Sequence, residues 1–203
     1  MKAVWYTETG DADSVLNFGE QPTPSPVQGE VLVRIHATGV NPSDVKSRAG
    51  ARGPIAYEQI IPHSDGAGII EAVGEDVDAN RIGERVWIWN GAWQRANGTC
   101  SQYMVIPEMQ AAHLPDNVSF AEGACLGIPA STAYYGVYSD GDVLGKTILV
   151  TGGAGAVGHY AIQFAKLGGA KVITTVSGTE KAAHAKSAGA DAVINYREGD
   201  TAV

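Results

Sequence analysis

A glycine-rich turn between a predicted strand and a predicted helix, within residues 147–168, constrains this chain more than any other feature. The β-branched run at residues 147–151 is typical of a buried parallel strand. Four glycines follow within seven residues, and a helical apolar pattern then continues to the pair Gly168-Gly169, which should end the helix. The apolar positions of that helix are Val157, Ala161, Ile162, Phe164, Ala165 and Leu167. A strand, a glycine turn and a helix in this order predict a cradle for a phosphate, because backbone N–H groups and the helix N-terminus point at the anion.

The spacing Gly153-x-Gly155-x-x-Gly158 is weak evidence by itself in a chain with 26 glycines. Its context makes it stronger, because a second strand is predicted at residues 171–176, a helix at 179–187 and a third strand at 192–195. This β-α-β-α-β order is one mononucleotide-binding half of a Rossmann fold. The alternative is a glycine turn in an ordinary α/β domain that binds no nucleotide.

The first part of the chain has a different pattern, with many short β segments separated by glycine and Asp/Asn turns. These segments are residues 30–37, 66–74, 85–89, 103–107 and 111–114, preceded by a proline-rich extended connector at 21–28. They predict a closed or barrel-like all-β unit. Residues 121–138 then become helical, with a break expected at residues 127–129 and a packed face of small residues. That face comprises Ala121, Ala124, Cys125, Ile128, Ala133 and Val137.

We therefore predict an α/β protein with a β-rich part, divided into residues 1–120 and residues 121–203. The second division holds a linker helix and the first half of a cofactor domain. A doubly wound sheet needs a second half, and only eight residues follow the third predicted strand. We expect the chain to be a fragment of a longer protein, since half a sheet leaves an unpaired edge and apolar surface.

Charge and composition exclude several classes of partner. The formal net charge is −8, and no lysine- or arginine-rich run occurs, so nucleic acid and anionic membrane surfaces are not expected partners. No stretch is apolar enough to span a bilayer or to serve as a signal peptide. The two cysteines, Cys100 and Cys125, form no C-x-x-C pair, so a reducing, cytoplasmic location is expected.

Several motifs occur in a consistent order and together resemble one known superfamily. They are GVNPSD at 39–44, PHSDGAG at 62–68, EAVG at 71–74, LPDN at 114–117, GACLGIP at 123–129, the glycine turn, and VINYRE at 193–198. The chain resembles the medium-chain dehydrogenases/reductases, and in particular the zinc-free quinone oxidoreductases of the zeta-crystallin type. The resemblance implies a GroES-like β-barrel domain, a Rossmann domain, an active site in the cleft between them, and a homodimer at full length.

The residues at the superfamily's zinc positions predict that no metal is bound. Its alcohol dehydrogenases carry a cysteine where this chain has Asn41, and a His-Glu pair where it has Ser64-Asp65. Asparagine and serine are poor zinc ligands, and only Cys100 falls where those enzymes need four cysteines for a structural zinc. His63 lies one position off, and a packed or hydrogen-bonded histidine is the favoured interpretation there.

The second predicted strand indicates NADPH as the cofactor. The position about 20 residues past the turn is Ser177, and no acid stands at the strand end to bind the ribose hydroxyl of NAD. Lys181, on the first turn of the next helix, can reach a phosphate, although it could also be an ordinary solvated lysine. The resemblance implies that Ser177, Lys181 and Tyr196 hold the 2′-phosphate. It also implies that the turn contacts the cofactor through Gly153, Gly155, Ala156, Val157 and Gly158. Thr132 matches a threonine on the nicotinamide side of the cofactor, although it could equally bond its own helix backbone.

A metal-free site with NADPH suits conjugated acceptors, which need no Lewis acid to accept a hydride. The resemblance places Asn41 at a polar active-site and cofactor position, where it could donate a hydrogen bond to a carbonyl oxygen. The alternative for Asn41 is a turn asparagine before Pro42. Lys46 replaces a tyrosine of close zeta-type members; it could stabilise charge or donate a proton, or it could simply face solvent. Three interpretations stay open: an NADPH-dependent quinone reductase, an alkenal or enone (enoyl) reductase, and a non-catalytic NADPH-binding crystallin-like protein.

Overall fold

The structure is a computed structural model that describes residues 1–199, and the chain forms two compact units, Met1–Ile128 and Pro129–Val203. The first unit holds seven strands and three short helices, and a longer helix, α4, begins at its end. Its strands are β1 Lys2–Trp5, β2 Asn17–Glu20, β3 Glu30–Gly39, β4 Asp65–Val73, β5 Arg85–Ile88, β6 Tyr103–Pro107 and β7 Ala111–His113. The helices are α1 Ala12–Val15, α2 Pro42–Arg48, α3 Phe120–Gly123 and α4 Gly127–Tyr138.

The core of the first unit is an antiparallel sheet in the order β6-β3-β4-β5-β7, beside a β1-β2 hairpin. The alternation in β3 predicts its buried face correctly at Val31 and Val33, which are fully buried, while Ile35 is only half-buried. The pairing of β3 with β4 is irregular directly after Ile35, between Ile35 and Ala37, and an earlier irregularity between Leu32 and Val33 leaves Val33 buried. The predicted segments at 30–37, 66–74, 85–89, 103–107 and 111–114 all appear as strands with slightly shifted ends.

Two predictions about the helical segment at residues 121–138 need correction. The predicted break at residues 127–129 is wrong, because α4 begins at Gly127 and the non-helical residues are 124–126. Pro129 lies in the first turn of α4, where its missing N–H has no intrahelical partner to lose. The predicted packed face also needs correction: Ala124 and Ala133 are buried, but Ala121 and Cys125 are exposed.

The second unit is a parallel sheet in the order β10-β9-β8. In chain order, one helix follows β8 and another follows β9. The elements are β8 Thr147–Val150, α5 Ala156–Leu167, β9 Lys171–Val176, α6 Thr179–Ser187 and β10 Ala192–Asn195. The predicted β-α-β-α-β order is confirmed. Ile162 and Ala165 of α5 are fully buried against the sheet, whereas Leu167, at the helix end, is 82% exposed and Val157, in the first turn, is 40% exposed. None of the helices in residues 1–199 combines the length and apolar character needed to cross a membrane.

Candidate functional site

The glycine turn joins β8 to α5 in a conformation that depends on close backbone packing. A Cβ atom on Gly153 would lie 2.1 Å from Thr174 Oγ1, and one on Gly158 would lie 2.4 Å from the carbonyl oxygen of Gly152. Thr174 is itself buried and donates to the Val150 carbonyl at 2.6 Å, so it cannot move aside easily. Gly153 and Gly158 therefore bring the turn, the helix and the neighbouring strand together.

The start of α5 offers backbone donors to an anion. Gly155 is the N-cap residue and has no side chain with which to cap the first-turn N–H groups, which lack i−4 partners in any α-helix. Gly155, Ala156 and Val157 are all exposed. Exposed, uncapped donors at the positive end of a 12-residue helix are suited to an anion.

The three residues predicted to hold a 2′-phosphate lie at the carboxyl ends of the neighbouring strands. Ser177 directly follows β9, and Lys181 Nζ, in the first turn of α6, donates to Ser177 Oγ at 3.0 Å. Tyr196 directly follows β10, is 51% exposed, and donates its backbone N–H to the Val176 carbonyl at 3.2 Å. Since parallel strands end at the same sheet edge, these side chains share that edge with the glycine turn after β8.

Thr132 lies in the middle of α4 and is exposed. Lys46 lies in α2 and is also exposed. It belongs to the short helix that begins directly after Asn41, which the sequence analysis did not predict. The pattern Asn41-Pro42-Ser43-Asp44 is a helix-start signature, with an N-cap asparagine, proline at N1 and an acid at N3, and it could have revealed this helix.

A polar cluster surrounds Asn41 in the first unit. Asn41 is only 6% exposed, its backbone N–H donates to Asp44 Oδ2 at 2.7 Å, and its Nδ2 donates to Asp65 Oδ2 at 2.8 Å. Asp65 is 1% exposed, and its carboxylate also accepts the backbone N–H of Ile128, 2.9 Å from each oxygen. Asn41 is thus both the N-cap of α2 and a partner of two carboxyl groups.

Burial controls the protonation of these carboxyl groups. It raises the pKa of Asp65, and the nearby charge of Asp44 raises it further, against the hydrogen bonds from Asn41 and Ile128. Burial also raises the pKa of Asp44, against the hydrogen bonds from Asn41 and the positive charge of Arg52. Asp44 thus accepts from the backbone of Asn41 and Asp65 from its side chain, and the charge of Asp44 disfavours ionisation of Asp65.

His63 lies beside this cluster in an unusual backbone conformation. Its φ is 78°, a left-handed value that is uncommon for a residue other than glycine. Its Nδ1 lies 3.1 Å from Thr38 Oγ1, which in turn lies 2.7 Å from Thr99 Oγ1. Burial lowers the pKa of His63, which favours the neutral imidazole.

Comparison with known proteins connects both units to one superfamily. Residues 27–116 match the alcohol dehydrogenase GroES-like domain family, and residues 156–203 match the zinc-binding dehydrogenase family. The 2-methylene-furan-3-one reductase of Solanum lycopersicum is 36% identical over 202 residues, which cover 97% of this chain and 52% of that protein. The chain belongs to the medium-chain dehydrogenase/reductase superfamily.

Two solved structures show the same relationship within the superfamily. The quinone oxidoreductase of Pseudomonas syringae is 36% identical with a TM-score of 0.86, and the match covers 98% of this chain and 60% of that one. The Escherichia coli quinone oxidoreductase, solved in complex with NADPH, is 32% identical with a TM-score of 0.84 at the same two coverages. The chain therefore spans between about half and three fifths of the length of these relatives. The expected GroES-like domain and Rossmann-type region are confirmed.

The expectation from the sequence that Asn41 and Ser64-Asp65 hold no zinc stays a prediction. Within residues 1–199, no group of three or more His, Cys, Asp or Glu side chains could hold a metal ion.

What the sequence analysis missed was the contact between Asn41 and Asp65. These two residues lie 24 positions apart, and no local pattern links them.

Proposed function

We propose that this chain binds NADPH and supports metal-independent hydride transfer to a quinone, as a zeta-crystallin-type member of its superfamily. The observation that carries the proposal is the Ser177–Lys181 pair, with Nζ and Oγ 3.0 Å apart at the sheet edge that also holds the glycine turn. A phosphate on the adenosine ribose is what such a pair would recognise, and the Escherichia coli relative was solved with NADPH.

The residues at this edge fit an anionic dinucleotide. The uncapped first turn of α5 suits a pyrophosphate, and the close packing of Gly153 and Gly158 lets the backbone approach it. An ammonium group has three hydrogens, so Lys181 can keep its bond to Ser177 and still donate to a phosphate. Tyr196 provides an exposed hydroxyl and ring on the neighbouring strand end.

NADPH, when bound, supplies the hydride, and the chain's own residues are left to orient the acceptor and stabilise its oxygen. Asn41 is the proposed donor to that oxygen, since an amide nitrogen carries two hydrogens and Asp65 accepts one of them. Lys46 is the proposed source of positive charge, and its exposure leaves it accessible. Thr132 is proposed to contact the nicotinamide side of the cofactor.

Reduction of an alkenal or enone is the second candidate, and one comparison favours it. The tomato relative, 36% identical to this chain, is named as a reductase of a methylene-furanone, which is a conjugated carbonyl compound. Lys46, which replaces the tyrosine of close zeta-type members, is the residue most able to shift the preference between acceptors.

The direct test follows NADPH oxidation by the full-length protein with 1,4-benzoquinone and, separately, with a simple alkenal. Faster oxidation with the quinone supports the proposal, and faster oxidation with the alkenal supports the second candidate. NADPH binding without turnover of either acceptor would refute both and leave the crystallin-like, non-catalytic interpretation. Metal analysis of the same protein should find no stoichiometric zinc.

We further propose a cytoplasmic location and a homodimeric assembly of the full-length protein. Both cysteines are free thiols, Cys100 half-buried and Cys125 exposed, which suits a reducing compartment. The homodimer rests on the resemblance to quinone oxidoreductases, and light scattering of the purified protein tests it.

A further inference from the structure

Asp65 is a buried carboxylate held by hydrogen bonds rather than by an opposite charge. It is 1% exposed, and across residues 1–199 no lysine, arginine or histidine forms an ion pair with it. Its partners are the Asn41 amide at 2.8 Å and the Ile128 N–H at 2.9 Å. Burying a carboxylate without a cation is unfavourable, and such groups are more common at functional sites than in purely structural cores.

The surrounding residues keep the carboxylate in one position. A Cβ atom on Gly127 would lie 2.2 Å from Asp65 Oδ1, so the space taken by the carboxylate exists only because residue 127 is glycine. On the backbone side, Thr99 Oγ1 donates to the Asp65 carbonyl at 2.6 Å. Strand β4 and the first turn of α4 therefore fix the side chain between them.

This fixed carboxylate determines which way the Asn41 amide faces. The oxygen and nitrogen ends of a carboxamide have nearly the same shape, and only their hydrogen-bond partners distinguish them. An ionised carboxylate can only accept, so it selects the orientation in which Nδ2 faces Asp65. Without Asp65, the amide could turn its carbonyl toward the same place, and a carbonyl cannot donate to an oxyanion.

We propose that Asp65 is a positioning residue that holds the Asn41 amide with its nitrogen oriented for donation to the acceptor's carbonyl oxygen. The inference rests on the proposed reductase function, because Asn41 matters in this way only if an oxygen gains charge beside it. Asp65 itself does not need to touch the substrate, and its action is through Asn41.

The substitution Asp65→Asn keeps the shape of the side chain and removes its charge. It replaces the charge-assisted hydrogen bond from Asn41 by a neutral one, and its own NH2 group can face Asn41 and favour the opposite orientation of that amide. Weakening of this charge-assisted bond predicts a fall in quinone-dependent kcat of about tenfold or more. NADPH affinity should stay within about twofold of the unmodified chain, because the residues proposed to hold the pyrophosphate and the 2′-phosphate belong to the second unit.

A second readout does not depend on turnover. The side-chain amide resonances of Asn41, identified by their loss in Asn41→Ala, should shift as Asp65 is protonated during a pH titration of the unmodified chain. The same resonances should lose that pH-dependent shift in Asp65→Asn. This titration also decides the case if Asp65→Asn fails to fold.

Asp191→Asn is the matched control, because Asp191 also accepts a backbone N–H, from Val172 at 2.6 Å, but lies in the second unit. It should leave kcat and the Asn41 resonances unchanged. If kcat is unchanged in Asp65→Asn, or if the Asn41 resonances do not shift as Asp65 is protonated in the unmodified chain, the positioning role is refuted. The proposed function is not affected by either result. Absence of quinone turnover in the unmodified full-length protein would instead refute the proposed function, on which the positioning role of Asp65 rests.

Discussion

Replacing Gly158 by alanine tests whether the glycine turn is held together by backbone contact. The new Cβ would lie 2.4 Å from the Gly152 carbonyl oxygen and 2.9 Å from both the Gly152 carbonyl carbon and Gly153 Cα. All three are backbone atoms, so no side chain can rotate away to make room. The α5 helix and the turn must separate instead.

The size of the effect follows from two opposing terms. Overpacking a close contact costs about 1–3 kcal/mol, and a clash with backbone belongs at the upper end of that range. Alanine is favoured over glycine inside a helix by about 1 kcal/mol, which offsets part of it. The net expectation is a loss of about 2 kcal/mol, or a fall in Tm of about 4–8 °C for a chain of this size.

Gly136→Ala is the matched control, since Gly136 is also a helical glycine of the second unit, in the last turn of α4, but an added Cβ meets nothing within 4 Å. It should raise Tm by about 2–4 °C through helix propensity alone. Thermal unfolding followed by circular dichroism measures both variants. If Gly158→Ala were as stable as Gly136→Ala, the turn would not be packed as described.

Two further predictions concern pH. Burial lowers the pKa of His63 in the folded chain below its unfolded value of 6.5. The stability that neutral His63 contributes is therefore present above pH 6.5 and is lost as the pH falls through the folded pKa. His63→Asn, which tolerates the positive φ, should therefore flatten the dependence of unfolding free energy on pH below about 7, and an unchanged slope would contradict this. The backbone N–H of Val172 and the ammonium of Lys166 lower the pKa of Asp191, so its contribution is present above the unfolded pKa of 3.8 and is lost as pH falls through the folded pKa. Asp191→Asn should lower Tm at neutral pH but match the unmodified chain at strongly acid pH, and a constant difference at all pH values would count against the assignment.

The second unit could be predicted closely because its signals are local. β9, α6 and β10 were predicted from hydrophobic periodicity and turn residues within each segment, and the structure places all three at the predicted residues. Helix α5 was predicted as well, but the apolar pattern could not show that Leu167 lies past the edge of the packed face.

The first unit was predicted less completely because its site depends on distant contacts. Helix α2 has no buried residue in its seven positions, so it gives no apolar periodicity to detect. Asp65 meets Asn41 and Ile128 across 24 and 63 positions of sequence, and nothing local indicates either contact. Pro129 predicted a break in a helix that in fact begins just before it, because proline is compatible with a first turn as well as with an end.

The central claim, that the sheet edge after β8, β9 and β10 recognises NADPH, is tested most directly by calorimetric titration of the chain with NADPH and with NADH. The unmodified chain should bind NADPH more tightly. Lys181→Ala should weaken NADPH by about tenfold or more, through loss of a charge-assisted phosphate contact, and leave NADH within about twofold. Lys186→Ala, at the other end of α6, should change neither. Equal losses for the two cofactors in Lys181→Ala, or tighter binding of NADH by the unmodified chain, would contradict the claim.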